Sequence, residues 1–299
     1  MAIFLGIDGG GSKTACAVGD ESSVLATSVA AGSNIVRVGE ERAREALHTA
    51  IRQACGSAGI AASEIRGACV GMAGAARPEI NGIVERIVAE LLPGKIEVVG
   101  DMEIALEAAF GAGPGIVVIA GTGSIAYGRN AEGETARAGG WGFAVSDEGS
   151  GHWIGRRAVS VALRAMDDEG GSGLYDAIRK EWGTSTLEEF VRTANVTPVP
   201  DFAALFPAIV AEAESDSLAA DVLHSAGAEL AALGLIIVRK LFPDLIAQVA
   251  MSGGVFRHSG VVRDNFCSRL RAEARGVDIG REVADPLQGA LQRARRMPL

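Results

Sequence analysis

Phe4-Leu-Gly-Ile-Asp-Gly-Gly-Gly-Ser-Lys-Thr14 is an apolar run that breaks into glycines and then hydroxyls, and Ile116-Val-Val-Ile-Ala-Gly-Thr-Gly-Ser-Ile125 repeats the design in the second half of the chain. Each reads as a buried strand, a tight glycine turn and a second strand, at 14–18 and at 125–128. One such loop alone is also what an ordinary hairpin turn looks like. Two of the same design, one per half, predict a duplicated fold that grips a polyphosphate from both sides. Neither loop is a P-loop, because no Gly-Lys-Ser/Thr ends the glycine run and no helical pattern follows at once. Neither is a dinucleotide fingerprint, which needs a βαβ unit after the glycines rather than a hairpin.

Glycine lets backbone N–H groups crowd toward an anion, since no Cβ intervenes and positive φ costs little. Successive N–H groups in a turn form an anion-binding concavity, to which Ser12, Thr14, Thr122 and Ser124 can add hydroxyl donors. Asp8 stands at the tip of the first strand, where a phosphate would be repelled by a bare carboxylate. A divalent cation between them resolves the conflict, as Mg²⁺ is commonly held by one or two carboxylates together with phosphate oxygens and water.

The chain has 299 residues, enough for two domains with cores of their own, and its glycine count is high at 40. A net charge of −9 disfavours a nucleic-acid partner, which would call for a basic face. No unbroken apolar run approaches the roughly 20 residues of a membrane helix. Met1-Ala-Ile-Phe leads straight into a strand without a basic leader or cleavage site, so a cytoplasmic protein without a membrane partner is expected. Cys16, Cys55, Cys69 and Cys267 are far apart and read as reduced core thiols.

Along the first half the pattern predicts strands at 3–8, 13–19 and 24–31, a helix at 40–58, a strand at 67–73, a helix at 78–92, a strand at 95–99 and a helix at 102–111. Gly111-Ala-Gly-Pro-Gly115 is the best boundary in the chain, giving domains 1–114 and 115–299. The second half restarts with strands at 116–121, 124–129 and 135–138. Helices follow at 150–166, 202–214 and 218–241, then a strand at 247–252 and helices at 259–275 and 285–296. The stretch 170–201 reads as part of a helical insert spanning about 150–245. The last helix is placed in the second domain, with a return onto domain one allowed.

This α/β order, β-β-β-α-β-α-β-α and then a second copy with helical insertions, resembles the duplicated ribonuclease-H-like domains of the actin, heat-shock chaperone and sugar-kinase superfamily, with an interdomain cleft. Gly6-Ile-Asp-Gly-Gly-Gly-Ser-Lys-Thr14, Gly32-Ser-Asn34, Gly100-Asp101, Ala120-Gly-Thr-Gly-Ser124, Met251-Ser-Gly-Gly-Val-Phe256 and Gly139-Gly-Trp-Gly-Phe-Ala-Val-Ser-Asp-Glu-Gly-Ser-Gly-His-Trp-Ile154 together resemble the N-acetylglucosamine kinase group of the BadF/BadG/BcrA/BcrD ATPase family. The Gly-Gly-Trp-Gly and Asp-Glu-Gly-Ser pair is the most specific part.

The resemblance implies ATP and Mg²⁺ as cofactors and an amino sugar as acceptor, N-acetylglucosamine before glucosamine or N-acetylmuramic acid, with O6 the implied hydroxyl. A homodimer is allowed. Asp8 would hold Mg²⁺ through water, while Gly9, Gly10, Gly11, Ser12, Lys13 and Thr14 cradle the phosphates. Gly121, Thr122 and Gly123 would close over them, and Gly253 and Gly254 would lie against the adenosine. Asp101 would be the general base, and Asn34, Asp101, Gly140, Trp141 and Asp147 would bind the sugar.

Each residue also has a plainer reading. Asp101 lies just past a strand's C-terminal end, where α/β proteins collect ligands, but Asp is equally suited to cap the next helix. Asn34 suits a turn. Trp141 is either an apolar plate beside a sugar or a partly buried plug, and Lys13 either a phosphate contact or an exposed strand residue. Asp147 and Glu148 could be first-turn acids of the helix that follows. His48, His152, His224 and His258 read as structural or solvated, and Arg293, Arg295 and Arg296 as a solvated helix end. Two rival activities remain: an activator ATPase of an acyl-CoA dehydratase, disfavoured because no cysteine stands by the second loop to hold an iron–sulfur cluster, and a non-catalytic sugar or nucleotide sensor.

Overall fold

The computed structural model describes residues 2–75, 77–243 and 246–298. In chain order the first sheet and its helices are β1 (Ile3–Gly9), β2 (Lys13–Gly19), β3 (Val24–Ala31), α1 (Ile35–Val38), α2 (Glu40–Ala58), β4 (Ile65–Met72), α3 (Pro78–Ala89), β5 (Lys95–Gly100) and α4 (Asp101–Phe110). The second set runs β6 (Gly115–Ala120), β7 (Ser124–Arg129), β8 (Thr135–Gly139), α5 (Gly151–Glu169), α6 (Gly173–Trp182), α7 (Leu187–Ala194), α8 (Phe206–Glu212), α9 (Ser217–Leu241), β9 (Ala247–Ser252), α10 (Gly254–His258), α11 (Gly260–Glu273) and β10 (Val277–Ala284). Helix α12 (Pro286–Arg295) ends the fold.

The duplication is visible in strand order: β3-β2-β1-β4-β5 in one sheet, and β8-β7-β6-β9-β10 in the other. In the first sheet β1 pairs antiparallel with β2 and parallel with β4, and β4 pairs parallel with β5. Strand β10 was not anticipated from the sequence. Ile279 is its one buried residue, and Gly280-Arg281-Glu282 breaks the alternation that Val277 and Ile279 begin.

The chain divides into two units, Met1–Val117 with Ala284–Leu299, and Val118–Val283. Helix α12 therefore belongs to the first unit, and the second unit ends before it. Side chains alternate across β1, so Ile3, Leu5 and Ile7 join a core with Leu47 and Ile51 of α2 and Val84 and Ile87 of α3, while Phe4 joins Ile104 of α4 and Leu287, Ala290 and Leu291 of α12. The first sheet is thus covered by helices on both faces.

Helix α12 reaches the sheet and α4 at backbone distance. A Cβ on Gly6 would stand 2.5 Å from the Leu291 nitrogen, and one on Gly289 would collide with the Ile104 carbonyl oxygen. The three terminal arginines all hold partners, where the sequence reading took them as a solvated helix end, although Arg296 stays exposed. Arg293 pairs with Glu97 at 2.6 Å and Glu103 at 3.5 Å, and Arg296 pairs with the buried Glu107. Arg295 donates to the carbonyls of Asp20 at 2.7 Å and Ser23 at 2.8 Å. Their partners lie far away in sequence, which is why the charges read as loose.

In the second unit, α9 packs against β7, β8, α5 and α11. By length and composition it is the one helix among the described residues that could cross a membrane, and 61% of its apolar window is buried inside the protein. Asp221, His224 and Glu229 interrupt that run. The insert carries its own small core, where the rings of Tyr175, Trp182, Phe190 and Phe202 meet at centroid distances of 4.9 to 6.1 Å.

Gly289→Ala should lower the urea midpoint by an amount equivalent to about 1–3 kcal/mol, the usual cost of forcing packed elements apart. Gly56→Ala, in α2 with nothing within 4 Å of the added methyl, should raise it by about 0.5–1 kcal/mol. Equal effects at the two sites would show that the α12 contact is not a close one.

Candidate functional site

The first glycine turn closes β1 onto β2, with Gly10 donating its N–H to the Lys13 carbonyl at 2.9 Å. The Gly10 carbonyl accepts from Ser33 at 3.1 Å and Asn34 at 3.2 Å, which ties the turn to the chain leaving β3. Ser12 and Lys13 are exposed, and Gly10 and Gly11 are half-buried. Thr14 differs from the reading that its hydroxyl serves an anion. It is fully buried, with its hydroxyl 2.7 Å from the Ala31 carbonyl and 2.8 Å from the Ser33 hydroxyl. Its side chain braces the turn, and Ser33, which the sequence reading passed over, shares that work.

Asn34 is the N-cap of α1 and accepts the Val36 N–H at 3.0 Å. Asp101 does not cap α4, contrary to the alternative weighed from sequence. Gly100 holds that position, and its N–H is taken by the Glu103 carboxylate at 3.1 Å. Asp101 is instead the first helical residue, its Oδ1 accepting the Met102 N–H at 3.0 Å. Burial raises the pKa of its carboxyl above the ordinary carboxylate value, against the lowering pull of the Met102 N–H.

Asp8 is pushed up to about 7, first by burial, then by the carboxylates of Asp101 and Asp285, while Lys13 pulls the other way. Asp285, another residue the sequence reading missed, caps α12 by accepting the Leu287 N–H at 3.2 Å. Three acids, from the end of β1, the start of α4 and the start of α12, thus share one negative field. A cation beside Asp8 would relieve it, so the donor set fits Mg²⁺. Among the described residues no three His, Cys, Asp or Glu groups could hold a metal ion unaided. The remaining ligands would have to be phosphate and water, which is how Mg²⁺ is ordinarily held.

In the second unit the Gly121 N–H bonds the Gly123 carbonyl at 2.9 Å, closing the second turn. The start of α5 is stitched to it: Gly151 donates to the Gly121 carbonyl at 2.8 Å and His152 to the Thr122 carbonyl at 3.3 Å. Ser124 is buried and gives its hydroxyl to the Glu148 carbonyl at 2.7 Å, so it too binds the structure together and not an anion. Asp147 is buried at a φ of 66°, its Oδ2 2.9 Å from where a Gly123 Cβ would stand. Because α5 begins after its Ser150 cap, Asp147 and Glu148 are not in its first turn. Gly253 caps α10 at a φ of 99°, and a Cβ there would collide with the Ala120 carbonyl at the mouth of the same turn. Gly254 begins α10, and a Cβ there would meet only the edge of the His258 ring, at 4.0 Å.

Gly140 sits at a φ of 69° and sets up Trp141, which is 71% exposed and is therefore no plug. Arg137 lies over its ring, the guanidinium carbon 4.0 Å from the centroid. Only its position two residues before Gly139-Gly140 could have drawn attention to Arg137 in the sequence. His152 is buried between Phe143 and Phe202, with ring centroids at 4.8 and 5.3 Å, in keeping with a structural role. Burial pushes all four thiols up, Cys69 to about 12, which disfavours the thiolates an iron–sulfur cluster needs.

Three similarities bear on these two sets of residues. A Clostridium acetobutylicum protein named N-acetylmuramic acid/N-acetylglucosamine kinase is 43% identical over 172 residues, 57% of this chain and 56% of that protein's length. A Dictyostelium discoideum protein named N-acetyl-D-glucosamine kinase is 29% identical, with 96% of each chain covered. The solved structure of a Chromobacterium violaceum protein, provisionally named as an N-acetylglucosamine kinase, superposes with a TM-score of 0.79 at 26% identity, covering 97% of this chain and 98% of its own. The BadF/BadG/BcrA/BcrD ATPase family model matches residues 5–291, and the chain belongs to that family.

Proposed function

We propose that the chain is an ATP-dependent amino-sugar kinase that transfers the γ-phosphoryl group to N-acetylglucosamine, at O6. The observation that carries this reading is Asp101: a carboxyl just past the C-terminal end of β5, pKa-raised by burial, whose charge in turn helps to raise Asp8. A base with a raised pKa is better matched to accepting a proton near neutral pH. The names of the similar proteins supply the substrate class.

The sugar hydroxyl attacks the γ-phosphorus as its proton passes to an Asp101 oxygen, and ADP departs. Phosphoryl transfer asks little covalent chemistry of a protein, so alignment and charge stabilisation supply most of the acceleration. The glycine turns Gly9 to Thr14 and Gly121 to Gly123 serve the phosphates through N–H groups other than those of Gly10 and Gly121, which close the turns, with Lys13 adding an exposed cation. Gly253 and Gly254 leave room for the adenosine. Asn34, Gly140, Trp141 and Asp147 position the sugar, Trp141 through an exposed apolar face. Asp8 would hold Mg²⁺ through water, and the ion, when bound, neutralises phosphate charge.

Asp101→Asn should fold and bind ATP normally while turnover falls about 10²- to 10⁴-fold; near-normal turnover would remove Asp101 from the chemistry. Across N-acetylglucosamine, glucosamine, N-acetylmuramic acid and glucose, kcat/KM should be highest for the first. Plain glucose should trail by about 10- to 200-fold, the discrimination available to a methyl-sized apolar contact. A 6-deoxy analogue should not be phosphorylated, and if it is, the O6 assignment is lost.

The raised pKa of Asp8 has a defined sign for stability. Its contribution to stability is fully present below the unfolded value near 3.8 and is lost as pH rises through about 7. In metal-free protein, Asp8→Asn should therefore melt higher than wild type at pH 8 and match it below pH 4. Added Mg²⁺ should raise the wild-type melting temperature more at pH 8 than at pH 5, and should not do so for the variant.

A further inference from the structure

We propose that Arg137 is a positioning residue that holds the exposed Trp141 ring in the orientation a sugar meets, an inference that rests on the sugar-kinase reading. Arg137 lies in β8 opposite Tyr127 of β7. Its guanidinium does two things with one plane. It stacks on Trp141 at 4.0 Å, and its Nη2 forks between the carbonyls of Gly139 at 3.3 Å and Gly140 at 3.4 Å.

The backbone it grips needs gripping. Gly139 and Gly140 are consecutive residues at positive φ, 73° and 69°, leading into a third, Gly142, at 103°. Glycine lowers the cost of that path but also of leaving it. From one side the turn is set by packing, since a Cβ on Gly140 would stand 2.8 Å from Ile125 and one on Gly139 3.1 Å from Leu233. Those contacts fix the glycines but not the indole, which is 71% exposed and carries two rotatable side-chain torsions. The guanidinium supplies the missing restraint because it is attracted to the ring face and anchored to the turn at once. Lysine could do only part of this: an ammonium carries the charge but lacks the plane and the fork.

The test is a cycle of Arg137→Met, Trp141→Phe and the double variant, with Arg137→Lys beside it. Arg137→Met should raise the KM for sugar roughly tenfold, a size in keeping with a cation–π contact plus its anchoring bonds, and leave kcat and the KM for ATP near wild type. The double variant should be no worse than Trp141→Phe, as expected when one residue acts through the other. Arg137→Lys should recover little of the loss. In parallel, Arg137→Met should make tryptophan emission more readily quenched by acrylamide, and this change should vanish in the Trp141→Phe background.

Additive KM effects would overturn the proposal, as would quenching unchanged by Arg137→Met. A fall in melting temperature with unchanged sugar KM would make Arg137 merely structural and would also overturn it. If wild type phosphorylates no sugar, the kinase reading fails, and the quenching pair still decides whether Arg137 holds the ring.

Discussion

Helix α12 can lie where it does only because Gly6 and Gly289 carry no side chain at its crossings with β1 and α4. That constraint reaches the site. β1 delivers Asp8 near its far end, α4 begins with Asp101, and α12 is capped by Asp285. Three segments distant in sequence are locked at backbone distance, so three acids can share one field without drifting apart. The ion pairs of Arg293 and Arg296 with Glu97, Glu103 and Glu107 secure the same helix from its other end. Glu107 is buried, and stripping its partner would leave a charge without compensation.

The second unit solves a different problem. Its glycine turn is kept in shape by hydrogen bonds from a helix start, through Gly151 and His152, and by Ser124 reaching to Glu148. The turn, the Trp141 loop and α5 are therefore one mechanical piece. Asp147 is held between them in a left-handed conformation unusual for a residue with a side chain, which is affordable where surrounding contacts over-determine it.

Much of this was readable from the sequence. The two glycine turns, the hairpins after them and the succession of strands along the chain up to β9 follow from apolar runs punctuated by turn residues, and the six motifs led to the family. What escaped depended on distant partners. β10 is a short apolar pattern interrupted by Gly280-Arg281-Glu282 that becomes a strand by pairing at a sheet edge. Arg293 and Arg296 look solvated until their acids, nearly two hundred residues earlier, are placed beside them. The hydroxyls of Thr14 and Ser124 look like anion donors in a glycine loop, yet both turn inward, because neighbouring residues at a strand's start face opposite sides and these two face the interior. Asp101 and Glu103 are both acids near a helix start, and only geometry shows that the cap belongs to the glycine and the second acid.

The return of α12 to the first unit has a consequence for synthesis. Domains ordinarily mature in order as the chain emerges, the N-terminal one first. Here the first unit lacks a wall of its core until Leu287, Ala290 and Leu291 arrive, after the whole second unit has been made. The nascent N-terminal half must wait on the ribosome with one face of its sheet only partly covered, by α4, and a chain released before α12 would be missing the piece that closes it.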